Sequence, residues 1–151
     1  MSLSQVPVAA VIGHPINHSK SPQLHNFWLS KFGVNGYYVP LDIDPRNFEK
    51  HIRSLPRLGF VGANVTIPYK EKILKVADKI SDRAAIIGAA NTLTFLSDGK
   101  IYADNTDGYG FIQNIKSQYK DWTAKDGMSV VFGAGGASRA ILGALIEDGA
   151  N

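Results

Sequence analysis

The chain has 151 residues, of which 44% are hydrophobic and 19% charged, the composition of a globular protein with a real core. A net charge of +3, from 16 basic and 13 acidic residues, with no extended basic run, argues against a nucleic-acid partner. The absence of cysteine excludes a disulfide framework, a thiolate metal site and a cysteine nucleophile, and fits a reducing compartment.

The chain opens Met1-Ser2-Leu3-Ser4-Gln5, without the basic and apolar regions of a secretory leader. No apolar run is long enough to cross a bilayer, so a cytoplasmic, membrane-free protein is expected. Val8-Ala9-Ala10-Val11-Ile12 is a short apolar run ending at Gly13, the pattern of a strand buried on both faces of a parallel sheet. Ser21 is expected to cap a helix with Pro22 in its first position. Leu24, Phe27, Trp28 and Phe32 follow at helical spacing, and Gly33 closes the element. Residues 37–43 read as a strand with Val39, Leu41 and Ile43 alternating. Asp44-Pro45 opens a second helix that puts Phe48, Ile52 and Leu55 on one face. Residues 60–65 form the next strand. Strand, helix, strand, helix, strand is the grammar of α/β folds.

The middle is less regular. Residues 71–77 and 82–87 read as short helices. Leu93 and Phe95 alternate in a strand, Asp98-Gly99 is a two-residue hairpin signal, and 101–103 return antiparallel. Asn105 or Thr106 caps a helix with Phe111, Ile112, Ile115 and Tyr119 inward. Residues 116–127 are polar and loop-like. Ser129-Val130-Val131-Phe132 reads as a buried strand, followed by a glycine turn and a helix over 137–147.

Each motif supports a chemistry and has a plainer alternative. Gly133-Ala134-Gly135-Gly136-Ala137-Ser138 lies between a strand and a helix. Glycines there let backbone approach a pyrophosphate, and the helix N-terminus adds free N–H groups and partial positive charge. The third glycine of the usual fingerprint is replaced by Ser138; the alternative is a tight turn without a ligand. The residue that chooses between NAD and NADP would follow the next strand, past Asn151. Ser19-Lys20-Ser21-Pro22 follows a strand and could hold a carboxylate, or be a helix cap with a solvated lysine. Asn64-Val65-Thr66-Ile67-Pro68-Tyr69-Lys70 ends a strand, where α/β sheets bind ligands. Lys70 there could serve as acid and base, or be a surface lysine opening a helix, a placement the helix dipole disfavours. Asn91 could bond sugar-like hydroxyls or simply make a turn. Asp107 could pair with Lys70 or serve as an acidic residue favoured in any first helical turn. The histidines His14, His18, His25 and His51 lack metal-ligand spacing, with His25 and His51 expected on helix surfaces. No metal site and no serine–histidine triad is expected.

In this order the motifs resemble the shikimate dehydrogenases over essentially the whole chain. The resemblance rests on Gly13-His14-Pro15-Ile16-Asn17-His18-Ser19-Lys20-Ser21-Pro22, the 64–70 segment, Gly88-Ala89-Ala90-Asn91-Thr92, Asn105-Thr106-Asp107-Gly108 and the run from Gly133 to Ala140. It implies reversible NADP-linked reduction of 3-dehydroshikimate to shikimate, a step toward aromatic amino acids. By that resemblance Ser19 and Ser21 bind the substrate carboxylate, Thr66, Asn91 and Asp107 contact ring substituents with Asn64 near them, and Lys70 transfers the proton with Asp107 as its partner. The turn from Gly133 to Ser138 (Gly133, Ala134, Gly135, Gly136, Ala137, Ser138) cradles NADP, with Asp82 near the nicotinamide end. The expected fold is α/β: a mixed-sheet substrate domain over 1–105, then a linker helix and the first strand, turn and helix of a Rossmann-type domain over 106–151. Family members continue through a complete cofactor domain, so this chain is expected to be part of a longer protein and not fully active alone. A homodimer is allowed by the family. The alternatives are a sister enzyme acting on quinate or on both quinate and shikimate, and a truncated, non-catalytic shikimate-binding module.

Overall fold

A computed structural model describes residues 6–151; the reading of Met1 to Gln5 lies outside the described residues. Its centre is a six-stranded mixed sheet in the order β2-β1-β3-β5-β6-β4. The strands are β1 Val8–Gly13, β2 Tyr37–Asp42, β3 Phe60–Val65, β4 Lys79–Ile80, β5 Thr92–Phe95 and β6 Ile101–Asp104. β1 runs parallel to both β2 and β3, β5 is antiparallel to β3 and β6, and β4 is parallel to β6. The expected α/β class with a mixed sheet is therefore present.

The connections decide where a ligand can sit. From β1 the chain crosses to β2 through α1 Ser21–Lys31, then to the other side of β1 through α2 Phe48–Ser54. Right-handed crossovers in opposite directions place α1 and α2 on opposite faces of the sheet. The crevice between the ends of β1 and β3 is a topological switch point, the place where open α/β sheets bind ligands.

The α2 face holds the main core. Ile52, Ile73, Ala84 and Ala103 are fully buried there, packed with Ile12, Phe48 and Tyr69. Phe48, Ile52 and Leu55 all face inward, as the helical spacing requires. The α1 face is thinner: Val11, Ile16 and Tyr38 form a small separate cluster. Helix α3 Asp82–Ile87 precedes β5. A third cluster joins α4 Asp107–Gln118 to α5 Gly136–Glu147 around Ile112, Ala124 and Leu145. The helices approach so closely at Gly108 that a Cβ there would lie 2.5 Å from the Ala140 carbonyl oxygen. Among the described residues no helix is long and apolar enough to cross a membrane.

Several expectations are corrected. Residues 129–132 form no strand. A strand needs a neighbour to take its backbone N–H and C=O groups, and none of the described strands lies beside this segment; Phe132 is 94% exposed. Ser21 does not cap α1. It is the first helical residue, Lys20 occupies the cap position, and Ser19 Oγ accepts the Ser21 N–H at 3.3 Å. The Leu24, Phe27, Trp28 and Phe32 stripe stays exposed; α1 meets the sheet instead through Leu29, His25 and Asn26, the last bonding the Tyr38 backbone. His25 is half-buried rather than on the surface, stacked on Tyr38 at 4.1 Å.

Residues 71–77 contribute only a 3-10 stretch, Lys72–Lys75. The two-residue β4 lies beyond β6, too short to show a period. The hairpin tip holds Ser97, Asp98 and Gly99, since the Leu96 N–H meets the Lys100 carbonyl. Tyr119 is exposed just past α4, while Ala124, expected in a polar loop, is buried.

Candidate functional site

All parallel strands end at one edge of the sheet, and the antiparallel β5 begins there. Loops after β1, β2, β3 and β6 therefore converge with the start of β5, bringing residues far apart in sequence together. The 64–70 loop is anchored by Tyr69, which is fully buried, stacked on Phe48 at 4.1 Å and donates its hydroxyl to the Ile43 carbonyl. The Lys70 carbonyl accepts the Ala90 N–H at 2.7 Å. Lys70 thus lies in a pinned turn, not in the first turn of a helix.

Its ammonium donates to Asp107 Oδ2 at 2.6 Å, with side chains 21% and 28% exposed. The pair is sheltered yet reachable by solvent and ligand. Asp107 Oδ1 accepts from Asn91 Nδ2 at 2.7 Å. Asn91 Oδ1 accepts from the Thr106 N–H at 3.0 Å and the Thr92 hydroxyl at 2.8 Å. Asn64 Nδ2 reaches the Asn91 carbonyl at 3.3 Å, and Asn64 Oδ1 accepts the Tyr38 hydroxyl at 2.7 Å. Burial pushes the Tyr38 phenol up to about 12, so it remains a donor at neutral pH. Behind Asp107, the buried Asn105 accepts the Asp107 N–H at 3.0 Å and donates to the Ala89 carbonyl at 2.9 Å. Asn105, rather than Thr106, supplies the side-chain bond at the start of α4.

Lys70, Asn91 and Asp107 therefore form one network with Asn64 at its base. Tyr38, Thr92 and Thr106 support it and are the members that sequence reasoning misses. Thr92 and Thr106 sit beside motif residues, a signal present in the sequence. Tyr38 reaches Asn64 only through the order of the strands.

Thr66 and Lys70 line a cavity of about 460 Å³ together with Gly135, Gly136 and Ala137. Gly133 has φ +118°, a conformation that favours glycine, and its missing Cβ would lie 2.9 Å from Ser138 Oγ. Nothing lies within 4 Å of a Cβ on Gly135, and α5 has no side-chain cap, so its first N–H groups are open to an anion. Gly136 fits against Ala89, where a Cβ would approach to 2.9 Å. Arg139 on α5 forms an ion pair with Glu71, beside Lys70, and its Nε is buried without a partner.

Asp82 stands apart. It opens α3, which Ser81 caps, and lines a groove with Ile80, Arg83, Tyr102 and Asp104 rather than the cavity of Lys70. In that groove Arg83 binds Asp104 through two nitrogens and, as the main cause, holds its carboxyl down at about 2. Ser19 and Ser21 lie past the end of β1, on the same sheet edge as the network. A larger, mainly apolar groove of about 490 Å³ is lined by Trp28, Phe32 and Val61 of α1, its following loop and the sheet, and also by Tyr38, Asn64 and Thr92 of the network.

The family model for the shikimate dehydrogenase substrate binding domain matches residues 11–93, more than half of the chain. The chain belongs to this family. A shikimate dehydrogenase (NADP(+)) from Ruegeria sp. (strain TM1040) is 58% identical over 149 residues, covering 99% of this chain and 54% of the relative. The solved shikimate dehydrogenase of Aquifex aeolicus superposes with a TM-score of 0.90 at 39% identity, covering 99% of this chain and 55% of that one. The Thermus thermophilus enzyme, solved with NADP(H) and shikimate, gives 0.87 at 37% identity over 95% of this chain and 53% of that one. The chain spans about half the length of the curated relatives it matches.

Proposed function

We propose that this chain carries the substrate site and the proton-transferring lysine of an NADP-linked shikimate dehydrogenase, which interconverts 3-dehydroshikimate and shikimate. The observation that carries the reading is the Lys70–Asp107–Asn91 network, an ammonium with a carboxylate and an amide, whose Lys70 lines a cavity together with the first residues of α5. Ser19 and Ser21 take the substrate carboxylate. Thr66, Asn91 and Asp107 take the ring hydroxyls, and Asn64 holds the floor. The division into a substrate unit over 1–105 and a cofactor unit from 106 is supported by the separate apolar cluster of α4 and α5.

The turn from Gly133 to Ser138 fits a dinucleotide, since its glycines keep a cradle open in front of uncapped helix N–H groups. Bound there, NADP supplies or accepts hydride. As the substrate carbonyl becomes an alcohol, negative charge grows on its oxygen. The Lys70 ammonium stabilises that charge and delivers the proton to the oxygen. In the reverse direction its amine takes the hydroxyl proton. Asp107 fixes Lys70 Nζ at the reacting oxygen, and Asn91 fixes Asp107.

Calorimetric titration of the chain with shikimate tests the reading, with quinate as the competitor. Saturable one-to-one binding that prefers shikimate is expected. Absence of binding, or preference for quinate, would overturn the substrate assignment.

A further inference from the structure

The proposed function leaves unexplained what holds the loop that carries Ser19 and Ser21. That loop leaves β1 at Gly13 and is glycine-dependent: a Cβ there would meet Ile16 Cδ1 at 2.7 Å and Thr66 Cγ2 at 2.8 Å. The return lets Ile16 bury its side chain to 2% exposure. The backbone of the loop is then tied to both neighbouring strands. His14 N–H donates to the Ile67 carbonyl at 3.2 Å, on the β3 side, and Ile43 N–H donates to the Gly13 carbonyl at 3.2 Å, on the β2 side.

One side chain adds a clamp that the reaction does not use. Asp42, at the end of β2, meets His14 Nδ1 with Oδ1 at 2.6 Å and accepts the Ile16 N–H with Oδ2 at 3.4 Å. The His14 bond, as the leading cause, holds the Asp42 carboxyl below the usual range. From Ile16 the bonds continue toward the serines. The Ile16 carbonyl accepts the Ser19 N–H at 2.9 Å, and Ser19 Oγ accepts the Ser21 N–H at 3.3 Å. A carboxylate on one strand is thus linked through Ile16 to the serine pair, and His14 is its second handle on the same loop.

We propose that Asp42, acting with His14, is a positioning residue that presets the serine loop to receive the substrate carboxylate. This rests on the assignment of Ser19 and Ser21 given above. Neither Asp42 nor His14 belongs to the Lys70 network, so the clamp acts on ligand affinity and on recognition of the carboxylate, not on proton transfer. A rigid loop keeps the serine donors in place before the ligand arrives and lowers the ordering cost of binding.

The test is a binding cycle by calorimetry with shikimate and its methyl ester, which lacks the carboxylate charge. The unaltered chain is expected to bind shikimate more tightly than the ester. Asp42→Ala is expected to weaken shikimate about 10-fold, the worth of one net hydrogen bond, and the ester much less. Asp42→Glu, which can still accept from His14, should recover part of the discrimination. Equal loss of both ligands would mark a general structural role and overturn the inference, as would unchanged affinity for both. If the unaltered chain binds shikimate but the variants match it, only this inference falls. If the unaltered chain binds neither ligand, the functional reading falls first and takes the inference with it.

Discussion

The region around Lys70 and the region around Gly133 both follow a strand-like apolar run with a turn and a helical segment, yet they differ in how far the motif becomes structure. Around Lys70 the preceding strand β3 sits between β1 and β5. Its turn is pinned by Tyr69 below and Ala90 beside it. Around Gly133 the preceding segment, 129–132, has no strand partner among the described residues, and Val130 and Phe132 face solvent. The α5 helix nevertheless forms, held by its contact with α4. A helix satisfies its backbone internally and needs only a surface to pack on, whereas a strand needs a neighbour.

Three kinds of change test the two regions. The largest effect is expected at Lys70. In a chain that extends over the full length of its relatives, Lys70→Ala should lower NADP-linked turnover by about 10²- to 10⁴-fold while shikimate affinity changes little. Unchanged turnover would remove Lys70 from the chemistry.

Next come paired core truncations. Ile52→Ala, in the core behind the substrate site, should cost about 2–5 kcal/mol and weaken shikimate binding as the sheet loosens. Leu145→Ala, in the α4–α5 cluster, removes a similar volume from a cluster that does not underlie the serine loop. It should release α5 while leaving more of the shikimate affinity intact. Chemical denaturation followed by shikimate titration checks both; equal loss of binding would mean that the two regions fold as one unit.

The smallest effect is a pH limb. Arg83 holds the Asp104 carboxyl at about 2, below its ordinary 3.8, so the ionised form favours the folded state. That stability is fully present above pH 3.8 and is lost as the pH falls through the folded value of about 2. With about 1.4 kcal/mol for each pH unit separating the two values, the contribution is about 2 kcal/mol. Denaturation at a series of acidic pH values spanning that window should show this limb in the unaltered chain and a smaller one in Arg83→Ala.

Much of the substrate half is legible because its signals are local. The apolar run of β1, the Phe48, Ile52 and Leu55 stripe of α2, and the grouping of hydroxyls, amides and an ammonium can all be read residue by residue. The α1 stripe misleads for the opposite reason. Its spacing shows a helix with an apolar face, but the burial of that face depends on what packs against it, and Phe27 and Phe32 remain mostly exposed. At the start of α1, Ser19 and Ser21 are both competent to bond the backbone, and only the path of the loop selects Ser19. Resemblance puts Asp82 with the cofactor, yet Asp104, Arg83 and Tyr102 are its neighbours in the groove.

Residue identities and their order are enough to give the available chemistry, the alternation of strands and helices, and the family. These rest on residue type and on short-range periodicity, which the chain carries wherever it goes. The tertiary structure alone decided that Tyr38 supports Asn64, that Asp42 bonds to the loop of Ser19 and Ser21, and that the motif at 129–132 lacks a partner among the described strands. Each depends on strand order or on the presence of a neighbour, which are long-range pairings that no local pattern encodes.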